Sequence, residues 1–365
     1  MNVLVTGAKG FLGKHTVKYL KEHGHNVFEY DIDSTYDELD EDIKNADFVI
    51  HLAGINRPLS NEEFYDGNAN FTKLLVDRIK EAKRFDLPVL MSSSIQAALD
   101  NDYGRSKKMG EDFLFESGLP VYIYRLNNIF GKWCKPNYNS VTATFCYNIS
   151  HDIPISISSR KTIIEFNYVD DIVLTFYQCV LGYLKPSSGI LNVSPKYACS
   201  LGKLSDLLYY FKDEIMSERH LPIIHNDFEF KLFKTFCNYF SDENSSFNHV
   251  SDENGSFEEI FKSEKYGQIS VNISKPGITK GNHYHTYKKE IFSVITGKCE
   301  IKQQNVDTKE TIVNVENGSN PTLVEIKPNY THTIKNVGKD ISITLMWISE
   351  IYNPDKADTI KKEVE

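Results

Sequence analysis

The chain has 365 residues, of which 41% are hydrophobic and 25% are charged, and its formal net charge is −9. This length predicts two or three domains of an ordinary globular protein, and the negative charge argues against nucleic acid or an anionic membrane as a partner. The six cysteines are scattered without a C-x-x-C pair, and no apolar stretch approaches the ~20 residues of a membrane span. We therefore expect a cytoplasmic protein in a reducing compartment.

The first predicted elements are a short buried strand, Val3–Val5, and an amphipathic helix to about His23, joined by a glycine-rich turn. Glycines permit a tight turn, close approach of a pyrophosphate and close packing of helix on strand. The N-terminus of the helix adds N–H donors and the positive end of its dipole. Strand, loop and helix in this order predict a dinucleotide site, and its expected contacts are Gly7, Gly10, Phe11, Leu12 and Gly13.

The second predicted strand, Asn26–Tyr30, ends at Asp31. An acid about 20 residues past the glycines binds the adenosine ribose and repels a 2′-phosphate, which favours NADH. Two alternatives stay open at this position. Asp31 could serve only to open a turn, and Lys9 and Lys14 could still bind the 2′-phosphate of NADPH.

Further buried strands near residues 47–54, 88–91 and 121–125 alternate with helical segments. The alternation predicts an α/β fold with a Rossmann-type, doubly wound parallel sheet, which binds ligands at the carboxyl ends of its strands. Several residues fall at or just after those ends, namely Asp31, Leu52, Ala53, Gly54, Ser94 and Asn128. We expect the segment Leu52–Gly54 to approach the cofactor.

Tyr103 and Lys107 are four residues apart, which places both side chains on one face of a helix. A neighbouring ammonium favours the phenolate, so we expect Lys107 to lower the pKa of Tyr103 from about 10 towards the range of general acid–base catalysis. Such pairs arise by chance on solvated helix faces. The upstream Ser94 and the glycine loop favour the catalytic interpretation.

Several motifs occur together in this half, and they are Gly7-x-x-Gly10-x-x-Gly13, His51-Leu52-Ala53-Gly54, Ser94, Tyr103-x-x-x-Lys107, Arg125-x-x-Asn128-x-Phe130-Gly131 and Asn167-Tyr168-Val169-Asp170-Asp171. In combination they resemble the extended short-chain dehydrogenase/reductase family, which acts largely on nucleotide sugars. The resemblance implies that Tyr103 is the general acid/base, that Lys107 also holds the nicotinamide ribose, and that Ser94 hydrogen-bonds the reacting oxygen. The interval from Ser94 to Tyr103 is much shorter than in most of that family, so we expect a different substrate pocket.

The loop from Gly131 to Ser140 mixes cations, amides and aromatic residues. The ring of Trp133 can cover a sugar or a base, and Lys132 can meet a diphosphate. We therefore predict substrate binding by Lys132, Trp133 and Asn128. The alternative is a packed surface loop.

The polar run Ser241–Ser246 is the most turn-prone stretch of the chain, and it predicts a domain boundary with domains at residues 1–245 and 246–365. Beyond this boundary, short strands are separated by turn residues. That pattern predicts an all-β sandwich or barrel.

His283 and His285 lie two residues apart in a predicted strand and so share one face. Glu290 and His332 could join them from neighbouring strands. Three histidines and a carboxylate suit Zn²⁺ or another divalent metal. Solvated histidines are the alternative.

The spacing Gly277-x5-His283-x-His285-x4-Glu290-x6-Gly297 resembles the first motif of the cupin family of jelly-roll barrels. The segment Lys327–His332 resembles the second motif, with Asn329 where that family usually has glycine. Because asparagine tolerates a left-handed backbone, we expect the turn to survive.

A reductase followed by a cupin resembles, over nearly the whole chain, a family of bifunctional enzymes that make N-acetyl-L-fucosamine precursors for bacterial capsule. The resemblance implies a cupin that epimerises C3 of a UDP-linked 4-keto-6-deoxy-2-acetamido sugar. Reduction at C4 would then give a UDP-2-acetamido-2,6-dideoxy-L-talose, with NADPH as the cofactor, in a homodimer. Two alternatives remain: a C4-ketosugar reductase with a structural or regulatory cupin, and a non-enzymatic sugar-nucleotide sensor. If the histidines and Glu290 bind a metal, the epimerase base is another residue, which the sequence does not identify.

Overall fold

The computed structural model describes residues 1–218, 220–240 and 249–365. The chain divides into two compact units, Met1–Tyr209 with Asn226–Ser241, and Tyr210–His225 with Asp242–Glu365. The predicted boundary between residues 245 and 246 lies outside the described residues. The segment Tyr210–His225 belongs to the second unit, where the amide of Leu221 donates to the carbonyl of Lys262 at 2.8 Å.

The first unit is built on a six-stranded sheet in the order β2-β1-β3-β4-β5-β8, and every pairing in it is parallel. A smaller sheet has the order β6-β7-β9. The strands are β1 Asn2–Thr6, β2 Asn26–Tyr30, β3 Phe48–His51, β4 Val89–Ser94, β5 Val121–Leu126, β6 Asn128–Phe130, β7 Ile163–Tyr168, β8 Ile190–Leu191 and β9 Tyr197–Ser200. The predicted α/β, Rossmann-type parallel sheet is confirmed.

Helices cover both faces of this sheet. They are α1 Phe11–Glu22, α2 Tyr36–Asn45, α3 Asn61–Phe64, α4 Phe71–Glu81, α5 Asp102–Phe115, α6 Val141–Ser150, α7 Val169–Val180, α8 Leu201–Lys212 and α9 Asp227–Cys237. Successive strand side chains point to opposite faces, so Val3 and Val5 pack with α1 and α7, whereas Leu4 packs with α2 and α4. None of the helices in the described part of the chain is long and apolar enough to cross a membrane.

The second unit consists of two sheets, in the orders β10-β11-β12-β19-β14-β17 and β16-β15-β18-β13-β20. Its strands are β10 His249–Asp252, β11 Gly255–Ser263, β12 Gly267–Ser274, β13 Thr279–Tyr284, β14 Glu290–Thr296, β15 Lys298–Asn305, β16 Thr311–Asn317, β17 Val324–Ile326, β18 Tyr330–Asn336, β19 Ser342–Ile348 and β20 Ile360–Lys361. The pairings within both sheets are antiparallel. The all-β prediction is confirmed.

Candidate active sites

The glycine loop between β1 and α1 has no room for larger side chains. Gly7 has φ of 71°, and a Cβ atom there would lie 2.6 Å from the amide nitrogen of Ala53. A Cβ on Gly13 would overlap the carbonyl oxygens of Gly7 and Ala8. Gly10 caps α1 without a side-chain hydrogen bond, and the first N–H groups of a helix lack intrahelical partners. The loop is thus shaped for an anionic ligand at the helix N-terminus.

Asp31 follows β2 and faces this loop. Its carboxylate accepts hydrogen bonds from the amides of Lys9, at 2.7 Å, and Ile32, at 2.9 Å. Its own amide donates to the hydroxyl of Ser34 at 3.1 Å. Asp31 therefore does open a turn, and the same contacts fix its carboxylate beside the glycine loop. The ammonium of Lys9 pairs with Asp33.

Gly54 meets two polar side chains that reach the end of β3. A Cβ atom on Gly54 would lie 2.6 Å from Oδ1 of Asn68 and 3.0 Å from Nζ of Lys107. Asn68 is buried in a π-helical turn, and its amide group donates to the carbonyl of Ile55 at 2.9 Å and to the hydroxyl of Ser106 at 3.0 Å. The sequence did not single out Asn68, because its partners lie far away along the chain.

The predicted catalytic residues come from β4 and α5. Ser94 ends β4, and its hydroxyl accepts from the amide of Gln96 at 3.2 Å. Tyr103 packs against Phe64, with 5.5 Å between ring centroids. Lys107 is buried, and its ammonium donates to the carbonyl of Ser92 at 3.2 Å. The structure therefore gathers Ser94, Tyr103 and Lys107 at the carboxyl end of β4, beside Gly54.

The expectation that Lys107 lowers the pKa of Tyr103 is wrong for this arrangement. Burial raises the pKa of Tyr103, and a hydrogen bond with Ser94 opposes the rise only in part. Burial lowers the pKa of Lys107 to about 8, although the negative charge of Glu111 acts to raise it. Burial takes the phenol out of water, which disfavours its charged form.

A buried ion pair holds α5 against the sheet. Glu111 accepts from Nε of Arg125 at 2.9 Å and from Nη2 at 2.7 Å, and it also accepts from the hydroxyl of Ser93 at 2.5 Å. The Glu111 side chain is only 1% exposed. The contacts tie the helix that carries Tyr103 and Lys107 to β4 and β5. No local spacing signals this pair, because Arg125 lies on β5 and Glu111 on α5.

The predicted substrate residues Asn128, Lys132 and Trp133 contact other groups of the first unit. The side-chain amide of Asn128 donates to the carbonyl of Glu165 at 3.2 Å. The ring of Trp133 lies 4.6 Å from that of His15 on α1, with the ammonium of Lys132 4.5 Å above it. Lys132 and Trp133 line a separate cavity of about 430 Å³. These contacts are compatible with the packed-loop alternative, and the cavity is compatible with substrate binding, which stays a prediction.

The second unit brings its four predicted metal ligands together. The candidate ligand atoms of His283, His285, Glu290 and His332 all lie within 4.8 Å of one another. Oε2 of Glu290 lies 3.0 Å from Nε2 of His332 and 3.5 Å from Nε2 of His285. A bulge at Asn282, with φ of 60°, sets the register that pairs His283 with His332 across β13 and β18.

The electrostatics of this cluster suit a divalent cation. Burial lowers the pKa of His283 to about 4, and the charge of His332 adds to the effect. Burial alone would raise the pKa of Glu290, but hydrogen bonds with His285 and His332 hold it at about 2. Oε2 of Glu290 and Nε2 of His285 are nevertheless buried without a hydrogen-bond partner of good geometry. The carboxylate and the imidazoles thus direct ligand atoms without hydrogen-bond partners towards one another, an arrangement that fits a metal ion.

Asp358, near the end of the described chain, orients one of these ligands. Its carbonyl accepts a hydrogen bond from Nδ1 of His285, which directs Nε2 into the cluster. Its carboxylate accepts from the amides of Thr286 and Tyr287, at 2.9 and 3.0 Å. Asn329 donates its amide to the carbonyl of His285 at 2.6 Å with φ of 63°, so the expected left-handed turn is confirmed.

Comparisons with known proteins agree with this architecture. Residues 3–193 match the NAD dependent epimerase/dehydratase family, and residues 250–360 match the polysaccharide biosynthesis C-terminal domain. The chain belongs to the NAD dependent epimerase/dehydratase family. Membership carries a nicotinamide cofactor and oxidoreductase chemistry.

Two relatives extend along the whole chain. The UDP-2-acetamido-2,6-beta-L-arabino-hexul-4-ose reductase of Pseudomonas aeruginosa is 39% identical, over 98% of both chains. The crystal structure of the capsular polysaccharide assembling protein CapF from Staphylococcus aureus covers 100% of both chains, with a TM-score of 0.90 and 42% identity. The predicted resemblance to CapF-like proteins, a short-chain reductase fused to a cupin, is confirmed.

A more distant structure shares only the fold. The UDP-glucuronic acid 4-epimerase from Bacillus cereus, solved in complex with NAD, is 17% identical with a TM-score of 0.56. The match covers 66% of this chain and 98% of the epimerase.

Proposed function

We propose that the chain is a bifunctional sugar-nucleotide enzyme. The second unit epimerises C3 of a UDP-linked 4-keto-6-deoxy-2-acetamido sugar, and the first unit then reduces the C4 ketone. The observation that carries the proposal is the presence of both sites in one chain, Ser94 with Tyr103 and Lys107 in one unit and the histidine cluster in the other. The name of the Pseudomonas relative, a reductase of a UDP-linked 4-ulose, supports this substrate class.

The reduction needs a hydride at C4 and a proton at the C4 oxygen. The nicotinamide cofactor supplies the hydride. The phenol of Tyr103 supplies the proton, and its raised pKa keeps that proton in place until charge develops on the oxygen. The hydroxyl of Ser94 holds the same oxygen. Lys107, by the family resemblance, holds the nicotinamide ribose beside them.

The choice between NADH and NADPH depends on Asp31. The carboxylate is fixed beside the glycine loop by the amides of Lys9 and Ile32, so a 2′-phosphate there would meet a negative charge. This geometry supports NADH. Family resemblance implied NADPH, and both cofactors belong in the first assay.

Epimerisation is feasible because a C4 ketone acidifies the neighbouring C3 hydrogen. His283, His285, Glu290 and His332 would hold Zn²⁺ or another divalent metal, which acts as a Lewis acid on a carbonyl oxygen. Residues that bind a metal through these atoms are unsuited to proton transfer. The base that removes the C3 proton is therefore a different group.

The finer parts of the proposal follow the family resemblance. The product is a UDP-2-acetamido-2,6-dideoxy-L-talose, a precursor of N-acetyl-L-fucosamine in capsule or O-antigen. The chain acts as a cytoplasmic homodimer, and its six free cysteines suit a reducing compartment. The proposal also includes domain bounds at residues 1–245 and 246–365. It further includes sugar binding by Asn128, Lys132 and Trp133.

The direct test combines cofactor oxidation at 340 nm with solvent exchange at C3. The metal-loaded protein receives a UDP-4-keto-6-deoxy-2-acetamido sugar in D₂O, with NADPH and NADH in parallel. We expect oxidation of one cofactor and deuterium at C3 of the product. Oxidation without deuterium would indicate a reductase with a structural cupin, and neither activity would indicate a sensor.

A further inference from the structure

His51 is the last residue of β3 and the first of the motif His51-Leu52-Ala53-Gly54. Its side chain is 1% exposed and lies between two buried threonines. The Nδ1 atom of its ring lies 2.7 Å from the hydroxyl of Thr6, and the Nε2 atom lies 2.9 Å from the hydroxyl of Thr72. Both ring nitrogens therefore have partners inside the protein, and the ring fixes β1 and α4 relative to one another.

The direction of each hydrogen bond around His51 follows from which atoms carry protons. The hydroxyl of Thr72 donates to the backbone carbonyl of Asn68 at 2.5 Å, because a carbonyl oxygen can only accept. That hydroxyl has one proton, so it accepts at the imidazole, and Nε2 of His51 carries the hydrogen. Burial lowers the pKa of His51 to about 3, and the positive charge of Lys107 adds to the effect. The ring is thus neutral, and its Nδ1 accepts from the hydroxyl of Thr6.

The hydrogen bonds continue from Asn68 to the helix that carries the predicted catalytic pair. The side-chain amide of Asn68 donates to the hydroxyl of Ser106 at 3.0 Å. That hydroxyl donates to the carbonyl of Tyr103 at 2.8 Å, one turn earlier on α5. A Cβ atom on Gly110 would lie 3.2 Å from both the carbonyl oxygen of Asn68 and the hydroxyl of Thr72. The helix therefore packs directly on these hydrogen-bonded groups.

The other end of the hydrogen-bonded chain lies at the glycine loop. Thr6 ends β1 and precedes Gly7, the first glycine of that loop. The hydroxyl of Thr6 also accepts from the amide of Ala53 at 3.4 Å. Buried side chains that are each at most 1% exposed thus join the glycine loop to α5. We call them the His51 network, and they are Thr6, His51, Thr72, Asn68 and Ser106.

We propose that His51 is a positioning residue for the reduction, because its network fixes the glycine loop relative to the helix that carries Tyr103 and Lys107. The inference rests on the proposed function, since it requires that a hydride and a proton reach one carbonyl group. The cofactor that supplies the hydride is held at the loop, and the proton donor lies on α5. A misplacement of about 1 Å can slow such a step about 10²-fold. His51 acts on this step through Thr6 and Thr72.

Paired substitutions test this role by single-turnover reduction of an already epimerised ketosugar, followed at 340 nm with saturating cofactor. Thr72→Val removes the hydroxyl that links His51 to Asn68, and Thr72→Ser keeps it. We expect the rate constant to fall about 10–100-fold in Thr72→Val and to stay within about threefold of wild type in Thr72→Ser. His51→Asn is too short to reach Thr72 and should behave as Thr72→Val does. His51→Gln reaches it and should recover most of the rate.

The amplitude of the single turnover separates positioning from stability. A merely structural role would lower the amplitude and leave the rate constant unchanged, because unfolded chains do not react and folded ones react normally. Val49→Ala, at a buried residue of the same strand outside the network, is the control. It should lower the urea midpoint but not the rate constant. An unchanged rate constant in Thr72→Val and His51→Asn, or an equal loss in Thr72→Ser, would overturn the positioning role.

Nuclear magnetic resonance gives a readout that does not depend on activity. In the full chain with ¹⁵N-labelled histidine, His51 should show the Nε2–H tautomer, and its signals are assigned by their loss in His51→Asn. An Nδ1–H tautomer would overturn the network. If the expected tautomer is found but the wild type oxidises neither cofactor with the ketosugar, the proposed reduction is refuted, and the positioning role with it, while the hydrogen bonds stand.

Discussion

The two units differ in where their strands carry buried polar side chains. In the first unit, successive residues of β1 such as Val3, Leu4 and Val5 are fully buried between two layers of helices. In the second unit, the buried positions of β12 carry polar side chains, namely Gln268, Ser270, Asn272 and Ser274. An apolar sheet covered on both faces can place polar groups only at its strand ends. A barrel whose wall mixes apolar and polar side chains can hold its site inside.

This difference predicts which contacts hold each site in its geometry. The residues around Tyr103 depend on how α5 is fixed to the sheet edge, through Glu111 and Arg125. The geometry of the histidine cluster depends on the partners that its buried polar atoms find inside the barrel, because some of those atoms form no hydrogen bond. The predictions below separate the two sites, beginning with the largest effect.

Tyr103→Phe removes the proton donor for C4 and leaves the second unit untouched. We expect cofactor oxidation at 340 nm to fall about 10²–10⁴-fold. Deuterium incorporation at C3 should persist. Tyr183→Phe, at an exposed tyrosine of the same unit, is the control. Loss of both activities in a folded, metal-loaded Tyr103→Phe variant would contradict the division of labour.

Glu290→Gln replaces the anionic ligand with a neutral amide. Metal affinity should fall by more than about 100-fold, since even residues that only orient ligands contribute about 10–100-fold. C3 exchange should be lost while an epimerised ketosugar is still reduced. Glu325→Gln, at an exposed carboxylate on β17, is the control. Unchanged metal content by mass spectrometry would show that Glu290 is not a ligand.

Glu111→Gln leaves the guanidinium of Arg125 without its buried counter-ion. We expect the first unit to lose about 3 kcal/mol of unfolding free energy, measured as a shift of its urea transition. Asp112→Asn changes an exposed carboxylate on the same helix and should cost less than about 0.5 kcal/mol. Equal effects of the two variants would mean that the ion pair does not anchor α5.

Asp358→Ala tests the orientation of His285 from outside the cluster. Without the carboxylate that binds the amides of Thr286 and Tyr287, the loop that presents His285 should loosen. Metal affinity should fall about 10–100-fold, measured by competition with a chelator. Asp355→Ala, in the exposed turn just before, should bind metal as wild type does.

Asp31→Ser probes cofactor choice and should have the smallest effect. Removing the negative charge beside the glycine loop should raise the ratio of kcat/KM for NADPH over NADH about tenfold. Asp86→Ser removes an exposed carboxylate elsewhere in the same unit and is the control. An unchanged ratio of kcat/KM for NADPH over NADH would show that Asp31 does not select the cofactor and serves only to form the turn.

Most residues that were predictable from sequence lie close together along the chain, and His332 was predicted from a second motif further on. The glycine loop, the Tyr103 and Lys107 pair, and the His283 and His285 pair each span a few residues, so their geometry follows from one helix turn or one strand. The fold class followed from the same local periodicities. These patterns also allowed the family resemblances to be recognised.

Residues that sequence reasoning missed act across long separations. Asp358 reaches His285 over 73 positions, and Asn68 reaches Ile55 and Ser106 through a buried turn. The pKa of Tyr103 was predicted in the wrong direction because its burial depends on packing that no local spacing reveals.

The most direct test of the central claim mixes two inactive variants. Tyr103→Phe epimerises without reducing, and Glu290→Gln reduces only sugar that is already epimerised. Neither variant alone should oxidise the cofactor with the unepimerised ketosugar, and the mixture should restore oxidation at 340 nm. A mixture that stays inactive, although each variant retains its own half-reaction, would contradict two separate sites linked by a released intermediate.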